Sequence, residues 1–196
     1  ALGATLHNRQ AGSWGAAGCF SFHPRKAVTT GEGGVISTND PVLVERLRSL
    51  RNHGIRSTTG QADFILPGFN YRMTDFQGAL GVTQLNKLQR IIHSHRLQAS
   101  IYDELLQDAP VKTPTIISCS QPVYQSYVII LPKKTSCRRD ELIAFLREKS
   151  IETTIGTINM PMTTFFRKRY GFFPGDFPVT DEISSRALSL PLHEKL

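Results

Sequence analysis

The chain has 196 residues, 40% of them hydrophobic and 20% charged, with a net charge of +7. That length allows one full core or two modest domains, no apolar run approaches a membrane span, and no basic-then-apolar leader precedes Ala1. The basic surplus suits an anionic ligand, but without a nucleic-acid motif its clusters at Lys133-Lys134, Arg138-Arg139 and Arg167-Lys168-Arg169 read first as solvated faces, so neither nucleic acid nor membrane is expected as a partner. Cys19, Cys119 and Cys137 are odd in number and share no metal-ligand spacing, which argues against a disulfide framework and for a reducing cytoplasm; Cys19 reads as a small buried hydrophobe. Both ends of the chain stop abruptly in apolar sequence, so a piece of a longer protein is expected.

In chain order, residues 1–17 read as loop and turn. Residues 18–40 then place one lysine, Lys26, between two strand-like pieces, Cys19-Phe20-Ser21-Phe22 and Val35-Ile36-Ser37-Thr38. His23-Pro24 turns the backbone away from helix before Lys26, and Gly31, Gly33 and Gly34 permit positive φ or close approach after it. Asn39 or Asp40 caps a helix that starts at Pro41 and ends near His53-Gly54. Residues 56–66 lack a period and read as an exposed loop. Thr74 and Gln77 form a capping box that opens a long helix to about Gln107, which bridges two lobes. Beyond it, strands are expected at 123–131 and 151–158 and helices at 140–149 and 182–190, a small α+β lobe.

Lysine becomes a nucleophile toward a carbonyl when its amine is neutral part of the time and a rigid loop aims it. The loop meets the second condition, and burial beside another cation such as Arg25 would meet the first. Taken alone, Lys26 reads first as a solvated charge. Ser21, Thr29, Thr30 and the glycine-rich turn could hold phosphate or serve only strand and turn; no P-loop or dinucleotide fingerprint is present.

The run GCFSFHPRKAVTTGEGGVISTND closely resembles the lysine segment of pyridoxal-phosphate-dependent sugar-nucleotide aminotransferases of the DegT/StrS type, a branch of the fold type I superfamily. LRNHG at 50–54, GFNYRMTDFQGALGVTQLNKL at 68–88, YQSYVI at 124–129 and FPVTDEISSRALSLPLH at 177–193 extend the resemblance over nearly the whole chain. It implies an α/β fold: the C-terminal part of a fold type I transferase, with a partial large α/β domain and long linking helix at 1–108 and a small α+β domain at 109–196. Lys26 is implied as the catalytic Schiff-base residue for pyridoxal 5'-phosphate, Ser21 as a donor to the cofactor phosphate, and Asn70 and Arg72 as cofactor-binding residues that serve a neighbouring subunit. A homodimer with shared active sites follows, with the glycines at 78–81 as a candidate contact. The implied reaction moves an amino group, with glutamate as the expected donor, to a keto-sugar linked to a nucleotide, in cell-surface polysaccharide or antibiotic-sugar biosynthesis.

The family's acidic partner of the pyridine nitrogen falls before the point that matches Ala1, so the 196 residues alone are expected to be inactive. No metal is implied. The alternatives are a non-catalytic regulatory or binding protein of the same fold, and a sugar dehydratase, against which the lysine at position 26 argues.

Overall fold

The computed structural model describes residues 1–57, 60–134 and 138–193, so Cys137 lies outside the described residues. The residues group into two compact units, Ala1–Ile92 with Ile117–Val123, and His93–Ile116 with Tyr124–Leu196.

The first unit opens with β1 (Thr5–Leu6) and β2 (Arg9–Gln10), which pair antiparallel, and β1 also pairs with β7 (Ser120–Gln121). The expected loop at 1–17 is therefore partly strand. These strands are two residues each, too short to leave a period in the sequence. β3 (Gly18–Ser21) and β4 (Gly34–Ser37) follow as the expected antiparallel pair, with Cys19 opposite Ile36 and Ser21 opposite Gly34. Cys19 is exposed, contrary to expectation, because its side chain lies on a face of this two-stranded sheet that no described residue covers.

Helix α1 (Pro41–Leu50) begins where Asp40 accepts hydrogen bonds from the N–H groups of Val42 and Leu43, with proline at a position where a missing N–H costs nothing. β5 (Ile55–Ser57) and β6 (Ala62–Phe64) pair antiparallel where a loop was expected. Most of their residues are exposed, so neither face imposed an apolar alternation that could be read. Helix α2 (Asp75–Leu85) starts at the predicted capping box: Thr74 Oγ1 accepts from Gln77 N–H and Gln77 Oε1 from Thr74 N–H.

The single long helix is corrected to two. α2 stops at Leu85 and α3 (Leu88–Leu105) starts after a tightened turn, in which Lys87 N–H bonds to Gln84 O three residues back. The apolar stripe runs through this break, which is why the period alone did not show it. A small cluster of Phe22, Val28, Leu88 and Ile92, with Leu2, Ala27 and Val123 against it, forms the buried centre of this unit.

The second unit is built on an antiparallel sheet in the order β8 (Tyr127–Ile130), β10 (Ala187–Leu190), β9 (Thr154–Ile155). Around it are α4 (Arg139–Glu148), a short 3-10 turn (Met160–Met162), α5 (Thr164–Tyr170) and α6 (Pro178–Arg186). The expected last helix at 182–190 is thus split. α6 ends at Arg186, and Ala187 and Leu188, both fully buried, continue as the central strand. Apolar residues at 187, 188 and 190 suit either period, and pairing on both edges decides for strand. The strand expected at 151–158 contracts to β9. Tyr127, Ile129, Leu131, Ala99 and Leu188 form the core, and the Tyr127 hydroxyl donates to the Asp103 carboxylate.

Candidate active site

Residues 22–33 carry Lys26 on a loop closed at its base by backbone bonds. Phe22 N–H donates to Gly33 O (2.9 Å), and Phe22 O accepts both Thr30 N–H (3.1 Å) and the Thr29 hydroxyl (2.9 Å). The Thr30 hydroxyl donates to Glu32 O (2.8 Å), and the turn around the lysine closes through Lys26 N–H to His23 O (2.9 Å). Phe22, Val28 and Thr30 are buried beneath it. His23 braces the tip: its Nδ1 accepts Arg25 N–H, which leaves the proton on Nε2, 3.8 Å from Glu32 Oε1. Gly33, at φ +147, is required here, because a Cβ would fall 2.6 Å from Thr30 Oγ1 and 3.0 Å from Met73 Cε.

Lys26 itself is exposed, so the burial expected around its amine is not provided by the described residues of this chain. Its side chain enters no hydrogen bond or ion pair among the described residues. Ser21, one strand-end earlier and also exposed, accepts His23 N–H at 3.2 Å, which leaves its hydroxyl proton available.

The second cluster lies where two of the sequence motifs meet. Phe69 N–H donates to Leu50 O (2.8 Å), His53 N–H to Phe69 O (2.9 Å) and Tyr71 N–H to Arg51 O (2.9 Å), so 50–54 and 68–73 run as a short ladder with Asn52 opposite Asn70. Gly54 and Gly68 make that approach possible: a Cβ on Gly54 would sit 1.7 Å from Leu66 O, and one on Gly68 2.0 Å from Gly54 N. Arg72 donates to Asn52 Oδ1 at 2.5 Å. Asn52 was not singled out from sequence; only its place inside LRNHG pointed to it. Gln77 connects the clusters, since its Nε2 donates to Glu32 O at 2.9 Å.

Asn70 and Arg72 are exposed, and no hydrogen bond or ion pair joins either to Lys26 or Ser21 among the described residues. The four predicted site residues therefore form two pairs on one unit. An aldehyde-bearing phosphate ester requires an amine that no carboxylate holds and nearby phosphate donors, and the Lys26 and Ser21 pair fits that group. No group of metal-ligating side chains occurs among the described residues, and none of their helices is long and apolar enough to cross a membrane.

The profile of the DegT/DnrJ/EryC1/StrS aminotransferase family matches residues 1–196. The chain is similar to the spore coat polysaccharide biosynthesis protein SpsC of Bacillus subtilis, 31% identical over 98% of this chain and 52% of that protein. It is also similar to a UDP-4-amino-4,6-dideoxy-N-acetyl-beta-L-altrosamine transaminase of Campylobacter jejuni, 30% identical over 100% of this chain and 52% of that one. Among solved structures it is similar to Helicobacter pylori PseC, described as an aminotransferase involved in the biosynthesis of pseudoaminic acid. That match has a TM-score of 0.91 and 26% identity, over 100% of this chain and 53% of PseC. The chain spans about half the length of the curated relatives it matches.

Proposed function

The chain belongs to the DegT/DnrJ/EryC1/StrS aminotransferase family, and from that premise we propose that it forms the lysine-bearing part of a pyridoxal-phosphate-dependent sugar-nucleotide aminotransferase. Pyridoxal 5'-phosphate is the family's cofactor, and the fold is that of fold type I sugar aminotransferases over about half their length. The observation that carries the reading is the Lys26 amine, which no carboxylate among the described residues holds, on a loop tied at its base by Phe22, Thr29, Thr30 and Gly33. The bound cofactor supplies an electron sink for the charge left when a proton leaves the amino-bearing carbon.

The residues of this chain then have distinct tasks. Lys26 Nζ would hold the cofactor through its aldehyde group and, when free, would accept and return the proton of the amino-bearing carbon. The Ser21 hydroxyl donates to a cofactor phosphate oxygen. Asn70 and Arg72 donate to the phosphate held by a neighbouring subunit, which makes the working form a homodimer.

Glutamate is proposed as the amino donor and a keto-sugar on a nucleoside diphosphate as the acceptor, in the cytoplasm. Residues 1–108 would belong to the large cofactor domain and 109–196 to the small domain, and the 196 residues alone would turn over little or not at all. At its natural length, the protein with pyridoxal phosphate should convert glutamate to 2-oxoglutarate as the aldehyde absorbance of the cofactor disappears, and a nucleotide-linked keto-sugar should restore it. A cofactor spectrum unmoved by glutamate and by other amino donors contradicts the aminotransferase reading.

A further inference from the structure

We propose that Gln77 is a positioning residue for Lys26, holding the closing turn of the lysine loop against the start of α2. Its side-chain amide is used at both ends. Oε1 accepts the Thr74 N–H at 3.1 Å within the capping box, and Nε2 donates to Glu32 O at 2.9 Å. Chemistry fixes that orientation, because the reverse would set a donor against the Thr74 N–H and an acceptor against a carbonyl. Glu32 O also accepts the Thr30 hydroxyl at 2.8 Å, so one carbonyl gathers the loop and the helix.

Two further approaches lie on the same line of residues. A Cβ on Gly33 would meet Met73 Cε, and one on Gly81 would lie 3.2 Å from Thr30 Cγ2. Residues 73, 77 and 81 are four apart, a spacing that shares one face along α2 and the residue before its cap. The apolar approaches set a distance, whereas the Gln77 hydrogen bond is directional and sets the register of loop against helix. From Glu32 the path to the lysine is short. The Glu32 carboxylate lies 3.8 Å from His23 Nε2, and His23 O accepts the Lys26 N–H at 2.9 Å. Gln77 thus braces the backbone that aims the amine without touching the amine itself.

Helix capping alone would be served equally by glutamate, whose carboxylate accepts the Thr74 N–H but has no N–H to give to Glu32 O. The two tasks of Gln77 are therefore separable by one substitution of the same shape. The bracing stands on the hydrogen bonds; only its consequence for amino transfer rests on the reading of Lys26 as the cofactor lysine.

The test compares Gln77→Glu with Gln77→Ala in the natural-length protein. With pyridoxal phosphate bound, Gln77→Glu should lower kcat for transfer from glutamate by about ten- to a hundredfold, with KM for glutamate unchanged. Without cofactor, amide exchange at Phe22 and Thr30, whose N–H groups close the loop, should rise about tenfold on loss of one hydrogen bond. The melting temperature should stay above that of Gln77→Ala, which loses the cap as well. An unchanged kcat in Gln77→Glu overturns the positioning role whatever the exchange shows. A lowered kcat with unchanged exchange overturns it too, since the added charge would then be the cause. Gln77→Glu melting as low as Gln77→Ala would leave the residue a cap alone and would overturn the proposal. Borohydride labelling of Lys26 in the unaltered protein reads the lysine assignment separately, so failure of one idea is distinguishable from failure of the other.

Discussion

The Lys26 loop in the first unit and the Tyr127 core in the second are ordered by different means. The loop is fixed by backbone and hydroxyl hydrogen bonds to Phe22, Thr29, Thr30 and Glu32 over a small apolar cluster, and its functional side chains point outward. The core is fixed by side-chain packing, with Tyr127 and Leu188 both fully buried and none of the candidate site residues among them. A fold that separates the two can change its exposed reactive groups without disturbing what keeps the chain folded.

The largest test of that contrast is Lys26→Ala, which should lower amino transfer by a factor of about 10² to 10⁴ or more while the melting temperature stays put. A comparable loss of stability in that variant would break the distinction. On the other side, Leu188→Ala should cost about 2–5 kcal/mol of unfolding free energy from the cavity it leaves in the second unit. Denaturant unfolding measures this, and the absorbance of any bound cofactor should survive at temperatures where the variant stays folded. Between these lies Gly54→Ala. It forces a side chain onto a left-handed backbone and against Leu66 O, at about 1–3 kcal/mol, and should loosen the Asn52–Asn70 pairing that holds Arg72. Amide exchange at Phe69 and Tyr71 should rise before exchange in the second unit does.

The smallest effect concerns alkali. Burial, followed by the hydrogen bond to Asp103, raises the Tyr127 hydroxyl well above its ordinary value of 10.0, and burial raises Tyr102 and Tyr124 as well. The folded form therefore retains these protons when the unfolded form gives them up. Their contribution is fully present below pH 10 and is lost as pH rises above it. Tyrosinate absorbance should show a late fraction of tyrosines that ionise together with unfolding. Full ionisation of all five near pH 10 in a folded chain would contradict the packed core.

Much of the first unit was legible because its signals are local. A capping box, an Asx cap before proline and glycines around a lone lysine each have a sequence pattern with a mechanism, and Asp40, Thr74 and Gln77 hold the places expected of them. What failed was decided by partners far along the chain. Residues 187–190 became a strand because β8 and β9 lie on either side, and the exposed pair β5 and β6 left no apolar alternation to detect. The break at Asn86 and Lys87 stayed hidden because both halves share one stripe. For the site, Lys26, Ser21, Asn70 and Arg72 could be named from motif resemblance, but Asn52 needed the fold, since only the backbone pairing of LRNHG with GFNYR sets it beside Asn70 and Arg72.

The central claim, that Lys26 is the cofactor anchor, is tested most directly by borohydride reduction of the natural-length protein with pyridoxal phosphate, followed by peptide mass analysis. A phosphopyridoxyl group on Lys26, with the other lysines unmodified, is the predicted result. An unmodified Lys26 peptide would contradict the assignment.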